Sequence, residues 1–351
     1  MNSPDPRITP ALVWMAEQVS GAAEPLSYQL ITGGRSNLTY RVTGSPGRSW
    51  ILRRQPTGPL APRAHDLRRE YRILSALSRR TTLPVPEPIA LCEDESVLGV
   101  TFYVMADVPG TVLRDPTDTA GLAETTRPAA ARHAVEALAA LHSVDLDRAG
   151  LADLGPRDGY VARQLHRWLS QVEQTCDLDT FHRLGDQQAA LADALPRTTE
   201  TSLVHGDYRF DNLVLDPFDG TVRAILDWEI AALGDPLADL GYFLVSWDEP
   251  GDERPALGLP GPTSATGFPS RREAIDWYAS ARAIDVGVLD FYLAFGYWKL
   301  ACVLHCVAHR YRTGGGGGAG SDALPPDMAE HVRWLTRRST THLTVHKAAT
   351  Q

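Results

Sequence analysis

The sequence predicts an α+β protein. An N-terminal five-stranded antiparallel sheet with one inserted helix is followed by a mainly helical C-terminal lobe. Three observations carry this reading. Strand-like runs crowd the first hundred or so residues between Gly-rich turns, helical periodicity dominates after Gly110, and 351 residues suit two domains or one two-lobed unit.

Each element has a local reason. Thr9-Pro10 reads as an N-cap and first helical residue, opening a helix to about Gly21. Tyr28–Ile31, Leu38–Thr43 and Trp50–Arg53 have strand texture, and the turn signals Gly33-Gly34 and Gly44-Ser45-Pro46-Gly47 join them. Leu67, Tyr71, Leu74 and Leu77 recur at helical spacing and predict a helix over Asp66–Ser78. After the Pro84–Pro88 segment, Ile89–Cys92 and Val100–Met105 complete the five strands. Helices are expected at Arg127–Ser143, Tyr160–Thr175, Asp179–Leu195, Pro236–Trp247, Ser270–Ala283, Val288–Arg312 and Pro326–His342. Ser270 with Glu273 forms a capping box. A β island, Ser202–His205, Leu213–Leu215 and Val222–Leu226, interrupts the helices. Pro250–Pro269 is too long for an ordinary connection, so it is either a lid or a disordered loop. Gly314–Gly318 is a linker by composition. The expected boundary puts residues 1–108 in the first lobe, a hinge at about 105–110, and residues 109–351 in the second.

Composition sets the limits. At 43% hydrophobic and 22% charged the chain is not wholesale disordered. A net charge of −9, from 43 acidic against 34 basic residues, argues against a nucleic-acid partner. Four cysteines are too few for a disulfide scaffold of this size. No basic stretch leads into an apolar one at Met1–Pro10, and the most apolar run, around Leu293–Val307, is broken by Lys299 and His305. The expectation is a cytoplasmic protein without a membrane partner. Lys299 and Lys347 are the only lysines, so any catalytic lysine must be one of these two. Cys302, His305, Cys306 and His309 share one helix face, but four ligands over two turns of one helix hardly converge on one ion. A core role is the better reading. The acidic run Asp248, Glu249, Asp252 and Glu253 is either a surface turn or an attraction for a cationic substrate.

One segment concentrates chemistry: Leu203-Val-His-Gly-Asp-Tyr-Arg-Phe-Asp-Asn-Leu-Val-Leu215, followed by Ala224-Ile-Leu-Asp-Trp-Glu229. Asp207 follows a strand, with His205 two residues before it and Asn212 five after. A second acid, Asp227, closes an apolar strand. An acid that accepts a hydroxyl proton, with an Asn and an Asp that reach a divalent cation, is the equipment of phosphoryl transfer. Asp235 and Asp239 read first as a helix cap and a brace for the loop, and His205 as a buried hydrogen-bonding brace. Arg209 either neutralises the surroundings of Asp207 or decorates the loop.

On these residues the chain resembles the aminoglycoside phosphotransferase and choline kinase-like branch of the kinase fold. His205-Gly-Asp207 with Asn212 is similar to the family's catalytic loop. Asp227-Trp-Glu229 stands where protein kinases carry D-F-G, and Gly234-Asp-Pro-x-x-Asp239 is a further signature. The similarity extends from about Leu30 to the helices near residue 310. It looks closest to the phosphotransferase domains related to the acyl-CoA dehydrogenase-linked kinases, through Leu-Arg-Arg-Gln-Pro after the third strand and Arg69-Glu-Tyr-Arg-Ile-Leu74.

The resemblance implies a site and a reaction. A phosphate loop is expected at Thr32–Asn37, with Gly33, Gly34, Arg35, Ser36 and Asn37 covering ATP phosphates. Arg53 takes the place of the strand lysine, and Arg54 points to the opposite face. Glu70 is the expected partner of Arg53, ahead of Glu93. Met105, Ala106 and Val108 line and bond the adenine. Only Trp228–Leu233 separates Asp227 from Gly234, which leaves little room for a peptide platform, so no protein substrate is expected. The implied activity is transfer of the ATP γ-phosphate, with Mg2+ on Asn212 and Asp227, to a hydroxyl of a small molecule such as a hydroxyacyl compound or an aminoglycoside-like alcohol. The competing readings are a nucleotide-binding sensor or scaffold without turnover and a metal-dependent hydrolase.

Overall fold

Side chains alternate along β3 (Ser49–Arg54), and the alternation gives the sheet two different faces. Trp50 and Leu52 join Tyr40, Val42, Phe102 and Val104 in a core closed by Ile8, Ala11, Leu12 and Met15 on and beside α1 (Thr9–Gln18). Trp14 meets Phe102 edge-on at 5.1 Å. The opposite face carries Arg53, which faces Glu70 on α2 (Leu67–Arg80), and Tyr103, which lies against Tyr71. Asp66 caps α2 by accepting from the Arg69 N–H at 3.1 Å. The helix buries Leu67, Ile73, Leu74 and Leu77, each fully buried apolar side chain contributing roughly 1.5–3 kcal/mol.

The computed structural model describes residues 8–23, 25–31, 37–45, 47–55, 66–175, 177–197, 200–313 and 327–350. The chain divides into two units, Met1–Pro109 with Ala224–Glu229, and Gly110–Arg223 with Ile230–Gln351. In the first unit β1 (Ser27–Ile31), β2 (Leu38–Thr43), β3, β4 (Pro88–Cys92) and β5 (Phe102–Ala106) form one antiparallel sheet in the order β1-β2-β3-β5-β4. The five expected strands are there. β5 begins two residues later than expected, because α3 (Glu95–Leu98), capped by Asp94 and closed by left-handed Gly99, occupies the connection. The segment Ala224–Glu229 joins this unit through the Ile225 N–H, which donates to the Pro84 carbonyl at 2.8 Å.

The second unit is mainly helical. α4 (Pro116–Ala120), α5 (Arg127–His142), α6 (Leu146–Ala149), α7 (Tyr160–Glu173) and α8 (Leu178–Ala192) precede the short strands β6 (Ser202–Val204), β7 (Leu213–Leu215) and β8 (Val222–Ile225). β8 runs on into the first unit. β9 (Ala232–Gly234) pairs antiparallel with β6, Leu203 opposite Leu233. Three residues carry too little periodicity for the sequence to announce it. α9 (Pro236–Val245), α10 (Arg271–Arg282), α11 (Leu289–Arg312) and α12 (Met328–Ala349) follow. The Ser270–Glu273 capping box is present on α10. A Cβ on Gly241 would stand 2.6 Å from the Tyr292 carbonyl oxygen, so this glycine lets α9 and α11 approach. α11 is long and apolar enough to cross a membrane by length and composition, yet 83% of its apolar window is buried, as in a core helix. His305 bonds Thr175 Oγ1 at 2.8 Å, and Cys302 is buried, with burial pushing its thiol up.

The loop over residues 250–269 is built around Asp248. Its carboxylate accepts from the N–H groups of Gly261 at 2.6 Å and Ala256 at 3.4 Å, and its own N–H donates to Thr263 Oγ1 at 2.8 Å. Trp247 Nε1 donates to the Pro269 carbonyl at 3.1 Å. Of the two alternatives that the sequence offered, a lid or a disordered loop, these bonds remove the disordered one. Asp248 is buried and Glu249 and Asp252 are engaged by Arg271, so three of the four acids of the run brace the loop, while Glu253 is exposed. Gly314–Gly318 lies outside the described residues.

Candidate active site

In the first unit a single cation meets three carboxylates. Arg53 Nε lies 3.4 Å from Glu70 Oε2, and Nη2 lies 2.5 Å from Asp227 Oδ1 and 3.3 Å from Glu229 Oε2. Strand register places Arg53 opposite Tyr103, and both are buried. Burial works against the guanidinium charge, but Glu70 and then Asp227 more than offset it and hold its pKa up. Burial pushes the Glu70 carboxyl up, while Arg53 pulls it back. Glu93 instead pairs with the exposed Arg68 at 2.6 Å. Arg54 lies on the other face of the sheet, its guanidinium 5.9 Å from the Tyr40 ring centroid.

Asp227 adopts φ +63°, a left-handed backbone that costs a non-glycine residue roughly 1–2 kcal/mol. Such local strain is characteristic of functional loops. Buried Trp228 anchors the turn by donating Nε1–H to the Ile225 carbonyl at 2.9 Å. Asn37 Nδ2 donates to Glu229 at 3.3 Å. Gly33, Gly34, Arg35 and Ser36 lie outside the described residues. Met105 is opposite Ile51 on the Arg53 face of the sheet. The Ala106 N–H donates to the Glu87 carbonyl at 2.8 Å. No described backbone bond uses the Val108 N–H, which suits a ligand donor.

In the second unit the loop His205–Asn212 is clamped from beneath. Asp239 on the first turn of α9 accepts from the His205 N–H at 2.5 Å and the Gly206 N–H at 2.8 Å. His142 Nε2 lies 3.3 Å from the same carboxylate, and its Nδ1 lies 2.6 Å from the Tyr278 hydroxyl. Burial opposes the Asp239 charge, but His142, His205 and the Gly206 N–H hold its pKa below the usual range. Asp235 caps α9 through the Leu237 N–H at 3.0 Å and accepts from the Tyr292 hydroxyl. Bracing is therefore what Asp235 and Asp239 do here. Gly206 has φ +85°, and a Cβ there would meet Ile230 at 3.1 Å.

Asp207 emerges from this clamp. Its N–H donates to His205 Nδ1 at 3.2 Å, and Asn212 Nδ2 donates to its carbonyl at 2.8 Å and its Oδ2 at 3.3 Å. Arg209 resolves its two readings by pairing with Asp207 at 3.1 Å and Asp211 at 2.8 Å. The sequence reading did not place His142, Tyr242, Tyr278 or Lys299 here. The scarcity of lysine was the one available signal for Lys299.

Asp227 in the first unit and Asn212 in the second each carry oxygen, the donor type that a hard divalent cation takes. Asp227 offers a carboxylate. The Asn212 amide spends its nitrogen on Asp207, which leaves Oδ1 as its ligand atom.

Comparison with known proteins agrees with this architecture. Residues 27–273 match the phosphotransferase enzyme family. The chain is 37% identical over 308 residues to acyl-CoA dehydrogenase family member 11 of Gallus gallus, covering 85% of this chain and 38% of that protein. It therefore spans less than two-fifths of that relative's length. A candidate aminoglycoside phosphotransferase of Ralstonia eutropha superposes with a TM-score of 0.75 at 32% identity, over 98% of this chain and 99% of that one. An aminoglycoside phosphotransferase solved with ADP and hygromycin B shares the fold, with a TM-score of 0.57 at 16% identity over 91% and 93% of the two chains. The five-stranded sheet, the helical second part and these likenesses make the fold kinase-like, and the chain belongs to the phosphotransferase enzyme family.

Proposed function

We propose that the protein is an ATP- and Mg2+-dependent kinase that phosphorylates a hydroxyl of a small molecule. The observation that carries this reading is the clamped loop, where Asp239 fixes two consecutive N–H groups immediately before Asp207. Asp207 orients the acceptor and takes its hydroxyl proton, as the acceptor oxygen bonds the γ-phosphorus and the bond from that phosphorus to the bridging oxygen of ADP breaks. Arg53, oriented by Glu70, binds the phosphates of the nucleotide. Asp227 and Asn212 are the residues that would hold Mg2+. When bound, the ion neutralises charge on the transferring phosphate. A structure in this fold bound to ADP and hygromycin B supports nucleotide use and a small acceptor.

The relatives' link to acyl-CoA dehydrogenases favours a hydroxyacyl compound as acceptor. Between Asp227 and Gly234 the chain passes directly into β9, and the little room this leaves for a peptide platform supports a small acceptor. The test is Asp207→Asn. ATP binding by calorimetry should be retained while turnover falls roughly 10²–10⁴-fold. Equal turnover in both proteins refutes the assignment. A nucleotide-binding scaffold is the second reading, favoured by the 2.5 Å contact of Arg53 with Asp227, which neutralises a metal ligand from within. Saturable ATP binding that is indifferent to Mg2+ and Asp227→Ala, with no ADP release, would select it.

A further inference from the structure

Lys299 sits where an arginine-rich sequence would be expected to use arginine. It and Lys347 are the only lysines in the chain. Its ammonium is buried in the middle of α11 and donates to the carbonyl of Gly206, the residue immediately before Asp207. The same nitrogen lies 4.0 Å from the centroid of the Tyr242 ring. Tyr242, on α9, is itself buried, and burial followed by the charge of Asp207 pushes its hydroxyl well up. A compact point donor suits a single carbonyl above an aromatic face, where a planar five-donor guanidinium would leave donors unpaired.

Burial brings the lysine down to about 8, with Asp207 and then Asp239 working to keep it charged. A buried cation is costly unless it is paired and bonded. Here the carbonyl and the ring supply direct partners. Gly206 is thus held on both sides, the peptide before it through its N–H by Asp239 and the peptide after it through its C=O by Lys299. Two adjacent peptide planes held in this way restrict φ and ψ of Gly206, and the second plane contains the backbone nitrogen of Asp207.

We propose that Lys299 is a positioning residue of the transfer reaction, fixing the backbone of Asp207 through the Gly206 carbonyl while the Tyr242 ring holds the ammonium in place. This rests on the proposed kinase activity. Lys299 touches neither nucleotide nor acceptor in this role and acts through Asp207 alone.

The test is a double-mutant cycle read on Mg-ATP hydrolysis with water as the acceptor. It uses the full chain, Lys299→Met, Asp207→Asn and the double variant. Lys299→Met should lower kcat at least tenfold with the KM for ATP unchanged. In the double variant it should add nothing to the loss caused by Asp207→Asn. Multiplicative losses, or a kcat for Lys299→Met equal to wild type, overturn the proposal. A purely structural lysine predicts multiplicative losses, since unfolding acts on both backgrounds alike. If Lys299→Met does not fold, Lys299→Gln, which keeps a polar end in the site, enters the same cycle with the same criteria. Should wild type and Asp207→Asn hydrolyse ATP equally, the kinase reading itself has failed. A loss in Asp207→Asn without one in Lys299→Met fails the lysine alone.

Discussion

Arg53 Nη2 lies 2.5 Å from Asp227 Oδ1, although 174 residues separate the two in sequence. The same guanidinium meets Glu70 and Glu229, so one positive charge is surrounded by three negative ones. Removing Arg53 would leave all three carboxylates without their shared cation, so it is the group whose loss this cluster tolerates least.

Arg53→Met should therefore destabilise the protein by about 3–5 kcal/mol, the cost of leaving buried Glu70 without its cation. Nucleotide affinity should fall as well. Arg53→Lys keeps the charge but cannot span Glu70 and Asp227 together, so an intermediate result is expected. Urea denaturation with ATP titration checks both, and a Met variant as stable as wild type would show that the pair adds nothing.

Asp239 predicts an acid signature. Its pKa is depressed in the folded protein, because His142 and the loop N–H groups outweigh burial. A depressed carboxyl contributes stability that is present above its unfolded value of about 4 and is lost as pH falls through the lower folded value. Wild type should lose stability below about pH 4 more steeply than Asp239→Asn. At neutral pH, Asp239→Ala should cost about 3–5 kcal/mol, since it orphans two N–H groups and a histidine. Parallel acid-unfolding curves for wild type and the Asn variant would rule this out.

Gly206→Ala tests the clamp through the backbone. The position is left-handed, and the new Cβ must push against Ile230 at 3.1 Å. A loss of about 1–2 kcal/mol is expected from the conformation alone. Because Asp207 is next in the chain, turnover should fall further than stability does. Calorimetric melting beside steady-state kinetics separates the two, and a fully active variant would contradict the rigid-loop account.

Asp248→Ala should release the loop over residues 250–269. Two backbone N–H groups lose their acceptor, at about 1–3 kcal/mol for each buried donor left unsatisfied. Trypsin should then cut at Arg254 faster than in wild type. Unchanged cleavage would mean that the Arg254–Asp327 and Trp247–Pro269 contacts suffice to hold the loop.

The sequence by itself determined what short-range physics encodes. Asp66 and Ser270 mark helix starts because a cap and its orphan N–H lie within three residues of each other. Arg53 and Arg54 could be assigned opposite faces because strand side chains alternate with a period of two. The order and spacing of His205, Asp207, Asn212 and Asp227 pointed to phosphoryl transfer. Tertiary structure decided the rest. It placed β5 between β3 and β4, paired β9 with β6 and joined Ala224–Glu229 to the first unit. It also brought Asp239 and Lys299 to the Gly206 peptide from 33 and 93 residues away. No local pattern announces such contacts. A buried charge is stable only beside a partner, and which partner reaches it depends on how α9 and α11 pack, not on the residues adjacent in the chain.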